Sequence, residues 1–112
     1  MTISTLKSAA ELDYILETAG NILVVLDFYA VWCPPCQFMD QYLKAYPNLY
    51  KTIIVKIDVD KFQEVARKYR VASMPTFIFI KNGQKMSSFS GANTELFSKK
   101  IAIKFSEESL HC

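Results

Sequence analysis

The most apolar run of the sequence, residues 22–30, leads directly into Trp-Cys-Pro-Pro-Cys at residues 32–36. A run of this kind predicts a strand buried on both faces, which is the usual state of a central strand in a parallel sheet. The prolines then favour a helix start, with Cys33 at the N-cap and Pro34 at the first helical position. Pro35 disfavours helical angles at Pro34, and this local conflict indicates a segment kept for chemistry rather than for stability.

The predicted position of Cys33 has an electrostatic consequence. A thiol at a helix N-terminus faces free N–H groups and the positive end of the helix dipole, and both favour the thiolate, which is the nucleophile of disulfide exchange. Cys36 lies one helical turn further on, within reach of Cys33, and can therefore resolve a mixed disulfide. Pro34 and Pro35 remove two amides that could have donated to the sulfur, so we expect these prolines to tune the reactivity of Cys33.

The composition is that of one globular domain. The chain has 112 residues, of which 51% are hydrophobic and 21% charged, and this length suffices for a single core. The formal net charge is +2 with Lys and Arg scattered along the chain, which argues against nucleic acid as a partner. No apolar stretch reaches the roughly 18 residues of a membrane span, and the first residues lack a signal-peptide pattern, so no membrane association is expected.

The three cysteines indicate redox chemistry in a reducing compartment. They are too few for a disulfide framework, so we predict a cytoplasmic protein in which C-x-x-C near a βαβ pattern has a redox role. Half of a structural zinc site is the alternative for Cys33 and Cys36. Zinc needs four ligands, however, and the remaining candidates, His111 and Cys112, are adjacent in a predicted tail. We therefore expect no bound metal, and Cys112 is interpreted as an exposed thiol without a role or as a regulatory thiol.

The chain alternates between strand and helix and closes with a hairpin. Strands are predicted at residues 3–6, 22–29, 52–59, 76–80 and 86–89. Helices are predicted from a capping box at residues 8–11 to Gly20, from Cys33 to Pro47, from an Asp60 cap to Tyr69, and from residue 93 to Phe105. Alternation implies parallel pairing, whereas the hairpin at Asn82 and Gly83 must be antiparallel, so the sheet is mixed. Cys33 then lies beyond the carboxyl end of a strand, where such folds place their reaction sites.

These motifs resemble those of the thioredoxin family over residues 3–105. The matching segments are Val-Leu-Asp-Phe-Tyr-Ala-Val-Trp-Cys-Pro-Pro-Cys at 25–36, Lys-Ile-Asp-Val-Asp at 56–60, Met-Pro-Thr-Phe at 74–77 and Phe-Ser-Gly-Ala-Asn at 89–93. The resemblance implies an α/β thioredoxin fold, with a central mixed sheet of about five strands flanked by four helices. The predicted domain spans residues 1–105, and residues 106–112, which have little to bury, are expected to form a flexible tail. The resemblance also implies a thiol–disulfide oxidoreductase that reduces protein disulfides.

The resemblance assigns four residues to the exchange reaction. Cys33 looks like the attacking thiolate and Cys36 like the buried resolving thiol. Asp27 is similar to the buried carboxylate that takes the proton of the resolving cysteine, and Lys56 resembles the lysine beside that carboxylate. From the residues alone, Asp27 could also be an exposed charge at a strand edge, and Lys56 a surface lysine whose stem lies along apolar surface. A lone buried carboxylate has a raised pKa, which suits a proton acceptor.

Five further residues are assigned to a substrate groove by the same resemblance. Pro75 looks like the cis-proline that faces the disulfide, and Met74 like the residue whose backbone pairs with an extended substrate segment. Trp32, Gly91 and Ala92 resemble the apolar rim of the groove. Without the resemblance, Pro75 could be an ordinary turn proline and Trp32 a half-buried core aromatic residue.

The resemblance also implies partners and leaves two properties open. It implies disulfide-containing protein substrates, no bound cofactor, a monomer, and electrons from NADPH through a separate reductase similar to thioredoxin reductase, within cellular redox homeostasis. Most thioredoxins have Gly at the position of Pro34, a basic residue at that of Gln37 and proline at that of Gln41. These departures, together with the negative charge of Asp40, leave the redox potential and the reducing partner open.

Two other classes of function remain as alternatives. The chain could be an adaptor that uses the fold for binding alone, but intact Cys33, Cys36, Asp27 and Pro75 argue against this. It could also be an isomerase or oxidase of the secretory route, but neither a signal peptide nor a retention sequence is present in the chain.

Overall fold

The computed structural model describes residues 2–46 and 51–103. Its helices and strands follow the predicted order. They are β1 (Thr2–Thr5), α1 (Ala9–Thr18), β2 (Leu23–Tyr29), α2 (Pro34–Ala45), β3 (Thr52–Asp58), α3 (Gln63–Lys68), β4 (Thr76–Lys81), β5 (Gln84–Ser90) and α4 (Thr94–Ile103). The described strands form one sheet in the order β1-β3-β2-β4-β5. β1, β3 and β2 run parallel, and β4 and β5 are antiparallel, so the sheet is mixed and β2 is central, as expected.

The predicted capping residues Ser8 and Glu11 start α1, with the return bond from Glu11 one residue before the N-cap. Ser8 Oγ accepts a hydrogen bond from the Glu11 amide at 3.1 Å, while Oε1 of Glu11 accepts one from the Lys7 amide at 2.8 Å. The helix ends at Thr18, and Gly20 follows with φ of +59°, a left-handed conformation that favours glycine. α1 therefore has the start and the end that the sequence predicts.

The two faces of the sheet have separate cores because side chains alternate along each strand. On one face, Val24, Leu26 and Phe28 of β2 pack with Leu12 of α1 and Ala66 of α3. The other face packs against α2 and α4. Its buried residues include Leu23, Val25, Met39, Leu43, Phe77, Phe79, Phe97 and Ile101. By this alternation Asp27 lies on the α2 face, and it is 3% exposed. The strand that precedes the cysteines therefore carries a buried carboxyl towards the helix that follows them.

Aromatic rings fix α2 against α4. Tyr42 of α2 and Tyr46 at its C-cap contact Phe97 of α4 edge-on, with ring centroids 6.0 Å and 5.9 Å apart. The Tyr42 hydroxyl also donates a hydrogen bond to the Thr94 carbonyl oxygen at 3.3 Å. Edge-to-face pairs of this kind stabilise by about 0.5–1.5 kcal/mol beyond the buried area. The carboxyl-terminal half of α2 is thus anchored, while its first turn lies at the carboxyl end of β2.

The predicted hairpin joins β4 and β5. Asn82 and Gly83 occupy the two turn positions with φ of +53° and +74°, as a type I′ turn requires. β5 is longer than predicted, since it extends over Gln84–Ser90. Its residues pair with β4 on one side only, and their side chains alternate between partly buried and exposed positions in its second half. β5 is thus an edge strand of the sheet. The alternation of its side chains indicates that one of its two faces is covered.

The third helix differs from its prediction. α3 spans only Gln63–Lys68, and its N-cap is Phe62, without a side-chain capping bond. The prediction of an Asp60 cap was therefore wrong, since Asp60 lies in the turn that precedes this helix. Pro47, Phe105 and the predicted tail at 106–112, with His111 and Cys112, lie outside the described residues. None of the described helices is long and apolar enough to cross a membrane.

Candidate active site

Cys33 and Cys36 form a disulfide at the amino end of α2. Cys33 is the N-cap, with φ of −104° and ψ of 107°, and Pro34 and Pro35 occupy the first two helical positions. The Cα atoms of the two cysteines are 5.2 Å apart, one helical turn along the chain. The Cys36 amide donates to Cys33 Sγ at 3.2 Å. Because neither proline has an N–H, Cys36 supplies the first amide of the helix that reaches this sulfur.

The two sulfur-bearing residues have different surroundings although both are buried. Cys33 is 4% exposed and Cys36 5% exposed, so burial alone does not distinguish an attacking from a resolving cysteine. Cys33 Sγ lies 3.7 Å from the Met74 carbonyl oxygen, next to the exposed Trp32. Cys36 instead lines a cleft of about 420 Å³ together with Lys56 and other polar residues. Cys33 thus lies at a surface that is lined by the Met74 backbone, whereas Cys36 lies in a charged cleft.

Asp27 is the buried acid beneath this helix. Burial raises the pKa of its carboxyl to about 7, against a smaller opposing effect of the positive charge on Lys56; the negative charge on Asp40 adds to the increase. The interpretation of Asp27 as an exposed charge is therefore wrong, since its strand is covered on both faces. A carboxyl with a pKa near neutrality can both accept and return a proton under physiological conditions.

Lys56 lies beside Asp27 but binds another residue. The two are direct partners in the register of β2 and β3. The Lys56 ammonium nevertheless forms an ion pair with Oδ1 of Asp40 on α2, and it lies 4.7 Å from the centre of the Tyr29 ring. In the described part of the chain, Lys56 forms no ion pair with Asp27. The side chain of Lys56 is 17% exposed, so it is not a surface lysine.

The Met74–Pro75 peptide bond is cis, as the resemblance implies, and it faces Cys33. The loop that carries Met74 and Pro75 is anchored to the end of β5, because the Gly91 amide donates a hydrogen bond to the Pro75 carbonyl oxygen at 2.8 Å. Gly91 has φ of +97°, a conformation that glycine adopts more readily than other residues. Gly91 and the exposed Ala92 follow β5 directly, so the structure brings both to the loop that carries Met74.

Trp32 is 62% exposed, which excludes a core position for this ring. Its indole Nε1 donates to Oδ2 of Asp60 at 2.9 Å. Sequence reasoning missed this function of Asp60, because the two residues are 28 positions apart and only the fold brings the ends of β2 and β3 together. It also missed Asp40 as the partner of Lys56, although Asp40 follows Cys36 by one helical turn, a spacing visible in the sequence.

The chemistry of the site centres on the cysteine pair and the buried acid Asp27. Among the described residues, no group of three or more His, Cys, Asp and Glu side chains is placed to hold a metal ion. The expectations of no metal and no bound cofactor stay predictions. What the arrangement can do is exchange a dithiol for a disulfide, with a proton acceptor buried on the same face of the sheet.

Comparison with known proteins places this site in a family. The thioredoxin family model matches residues 4–102. Thioredoxin-1 of Drosophila yakuba is 38% identical over 102 residues, which cover 89% of this chain and 95% of that protein. Thioredoxin of Homo sapiens is 40% identical over 94 residues, covering 83% of this chain and 90% of that protein.

Solved structures agree in fold. The reduced thioredoxin pre-protein of Schistosoma mansoni superposes with a TM-score of 0.85 at 42% identity, over 91% of this chain and 97% of that chain. Thioredoxin NaTrxh of Nicotiana alata gives a TM-score of 0.84 at 33% identity, over 89% and 90% of the two chains. The chain therefore belongs to the thioredoxin family and is a thiol–disulfide oxidoreductase with protein-disulfide reductase activity.

Proposed function

We propose that Cys33 is the nucleophile that opens the substrate disulfide. Its thiolate attacks one sulfur of the substrate, the substrate S–S bond breaks, and the other substrate sulfur leaves as a thiolate. A mixed disulfide between Cys33 and the substrate forms in this step. The observation that carries the proposal is the position of Cys33 at the N-cap of α2, where the Cys36 amide and the helix dipole favour a negative sulfur.

Cys36 then releases the reduced substrate. Its thiol gives a proton to the Asp27 carboxylate, and the Cys36 thiolate attacks Cys33 Sγ. The bond between Cys33 and the substrate breaks, the second substrate sulfur leaves as a thiolate, and the Cys33–Cys36 disulfide remains. Two electrons have passed to the substrate. Asp27 suits this role because burial holds its pKa at about 7, so that a substantial fraction is ionised at neutral pH.

Protein segments are the proposed substrates because the surface around Cys33 offers backbone and apolar groups. The Met74 carbonyl lies at the edge of a loop that an extended segment can pair with, and cis Pro75 shapes that loop. Trp32, Gly91 and Ala92 form the proposed rim on either side. Exposed Trp32, held by Asp60, supplies a rigid aromatic contact.

The oxidised protein needs a source of electrons. We assign this role to a separate reductase, similar to thioredoxin reductase, that draws on NADPH, so that the chain carries no cofactor of its own. In this proposal the protein acts as a monomer in the cytoplasm and contributes to electron transport and redox homeostasis there. The family membership and the presence of three cysteines, too few for a disulfide framework, support the assignment.

Trapping of the mixed disulfide tests the mechanism. A reduced Cys36→Ser variant incubated with native, disulfide-bonded insulin should accumulate a covalent adduct that dithiothreitol releases. A Cys33→Ser variant should form no adduct through Cys36, and a Cys112→Ser variant should behave like the parent. Mass spectrometry identifies the bonded residue. An adduct through Cys36 in the Cys33→Ser variant, at the rate of the reciprocal variant, would reverse the assignment of the two roles.

A further inference from the structure

Asp40 lies at the centre of the charged cleft beside Cys36. On α2 it follows Cys36 by one turn and precedes Lys44 by one turn, so the three residues share one face of the helix. Oδ1 binds the ammonium of Lys56, and Oδ2 binds that of Lys44 at 3.1 Å. The Asp40 side chain is 25% exposed, against 72% for Lys44 and 17% for Lys56. Asp40 therefore links Lys56, the inner cation, to Lys44, the outer cation.

Both cations favour the charged form of Asp40. Partial burial raises the pKa of its carboxyl, but the hydrogen bonds and the positive charges of Lys56 and Lys44 together outweigh burial and hold the pKa below its usual range. Asp40 is therefore ionised at neutral pH, where its carboxylate holds Lys56. This hold joins α2, which carries the cysteines, to β3, which lies beside Asp27.

The orientation of Lys56 matters because Asp27 is its neighbour. Adjacent strands lie about 4.8 Å apart, so a lysine opposite Asp27 on the same sheet face has a stem long enough to place its ammonium against that carboxyl. An ammonium in contact with a buried carboxylate lowers the pKa of the acid by about 1–3. Lys56 does not make that contact here, since Asp40 and the Tyr29 ring hold its ammonium at the cleft.

We propose that Asp40 is a positioning residue for disulfide exchange, which holds the Lys56 ammonium at the cleft and away from Asp27. This inference rests on the proposed function, in which Asp27 takes the proton of Cys36. Asp40 keeps Asp27 a strong enough base for that step, because it withholds the nearest positive charge and adds a negative one.

The charged and titratable groups around Asp27 determine how its pKa should respond to substitution of Asp40. Lys56 on β3 and Asp40 on α2 act on its carboxyl; Tyr29 shares its strand, and Cys36 lies on the helix above it. Its β4 partner is Phe77, which is uncharged. An Asp40→Asn substitution removes the negative charge, and because a neutral amide oxygen binds an ammonium more weakly than a carboxylate does, it also weakens the hold on Lys56 and lets Lys56 turn towards Asp27. Both changes favour the Asp27 carboxylate, so the pKa of Asp27 should fall.

The direct test is a titration of Asp27 by carbon NMR of its carboxyl in the oxidised protein, where neither Cys33 nor Cys36 titrates. In the Asp40→Asn variant we expect the midpoint to move down by about one pH unit or more. Lys44→Gln, which removes the outer cation and leaves the Lys56 ion pair, should leave it within a few tenths of a unit. Asp13→Asn, a loss of the same charge on α1, serves as the matched control. An unchanged midpoint in Asp40→Asn overturns the proposal.

A double-mutant cycle separates positioning from simple charge repulsion. In a Lys56→Met background there is no ammonium to hold, so Asp40→Asn should lower the Asp27 midpoint by less than half of its effect in the parent. An effect of equal size in both backgrounds would mean that Asp40 acts by its charge alone, and it would overturn the positioning role.

The rate of the second exchange step distinguishes failure of this inference from failure of the proposed function. The release of substrate from its mixed disulfide with Cys33, followed against pH, should have an acid limb that moves with the Asp27 midpoint in Asp40→Asn. If the NMR midpoint moves and the acid limb does not, Asp40 positions Lys56 as proposed, but Asp27 is not the acceptor for Cys36. If neither moves while Asp27→Asn abolishes the limb, the proposed function stands and the inference about Asp40 fails.

Discussion

Asp27 and Lys56 are paired in register across the two central parallel strands, yet the ammonium of Lys56 is bound to Asp40 on the helix above. The carboxyl of Asp27 consequently stays in a largely apolar environment, and burial raises its pKa to about 7. A buried acid of this kind lowers the stability of the folded state once it ionises, because its charge loses the solvation that it has in the unfolded chain. The site is therefore a place where stability and reactivity oppose one another.

Asp27→Asn should stabilise the oxidised protein at alkaline pH. The folded-state pKa is raised above the unfolded value of about 3.9, so the parent is most stable below pH 4 with respect to this group, and it loses that contribution as the pH rises to 7 and beyond. The difference corresponds to roughly 3 kcal/mol or more above pH 8. The free energy of unfolding in guanidinium chloride, measured at pH 5 and pH 8.5, checks it.

The control for this comparison is Asp13→Asn, which removes an exposed carboxyl of α1. Its stability relative to the parent should be nearly independent of pH. Equal stability of Asp27→Asn and parent at both pH values would contradict the raised pKa of Asp27.

Most of the fold was predictable because it follows from local rules. The capping box at Ser8, the prolines after Cys33 and the turn at Asn82 and Gly83 each act within four residues, and the structure has all three. Burial of Asp27 was predictable for the same reason, since its strand is apolar on both sides. Thus the elements, their order and the buried acid could be derived from the sequence and the resemblance.

The partners of the charged residues were not predictable. The sequence analysis placed Lys56 beside Asp27 or at the surface. The observed pairing with Asp40 depends on where α2 lies over β3, which packing of Tyr42, Tyr46 and Phe97 determines. Asp60 was predicted to cap α3 because its residue type suits an N-cap. Its carboxylate instead accepts the Trp32 indole N–H, so its side chain does not cap that helix.

Asp60→Ala should weaken reduction of protein disulfides more than reduction of small ones. The substitution removes the acceptor of the Trp32 indole, so the exposed ring loses its fixed orientation at the rim. Loss of one hydrogen bond to a charged group at a partly solvated site costs about 1 kcal/mol, and we expect KM for insulin to rise about three- to tenfold. The rate with a small aromatic disulfide should stay within twofold of the parent.

Asp60→Asn is the matched variant, because an amide oxygen can still accept from the indole. It should retain most of the affinity for insulin. Trp32 is the single tryptophan of the sequence, so quenching of its fluorescence by acrylamide reports the release of the ring directly. Similar losses with insulin and the small disulfide in Asp60→Ala would argue against an orienting role.

Gly83→Ala should lower stability without changing activity. An added Cβ would meet no atom within 4 Å, so its cost comes from the backbone, where φ is +74°. Left-handed angles cost a residue with a Cβ roughly 1 kcal/mol more than glycine, which corresponds to a fall of about 4–8 °C in Tm. The turn bonds to Gly20, before β2, and thus lies at the end of the sheet opposite to Cys33.

The comparison for this variant is Gln84→Ala, an exposed substitution one residue later. Its Tm should stay within about 2 °C of the parent by calorimetry, since surface changes of this kind alter stability by no more than about 0.5 kcal/mol. Insulin reduction by Gly83→Ala at 25 °C should match that of the parent, and a large loss of rate there would contradict the separation of turn and site.

Replacement of Pro34 by glycine should make the Cys33–Cys36 disulfide easier to reduce. In the parent, the first two residues of α2 are prolines, so the sulfur of Cys33 receives its hydrogen bond from the Cys36 amide. Pro34→Gly adds an N–H to the first turn and should stabilise the Cys33 thiolate relative to the disulfide. A full extra amide contact of about 0.5–1.5 kcal/mol corresponds to a potential about 10–30 mV less negative, since 30 mV equals about 1.4 kcal/mol. The new amide is at the first helical position and acts on the sulfur less directly, so we expect the lower end of this range for Pro34→Gly.

Equilibration of each protein with glutathione mixtures measures this potential, and absorbance of the reduced protein at 240 nm against pH measures the thiolate. Pro35→Ala provides the comparison, because an N-cap side chain accepts from the second or third helical amide and this variant restores the second. We therefore expect a larger change for Pro35→Ala than for Pro34→Gly.

The potential of the parent protein is informative by itself. A reduction potential near the −270 mV or so typical of thioredoxins would suit a general reductant, whereas one near about −200 mV would indicate a dedicated exchange partner. Potentials that stay within a few millivolts in both variants would mean that the prolines shape the helix start without tuning the sulfur.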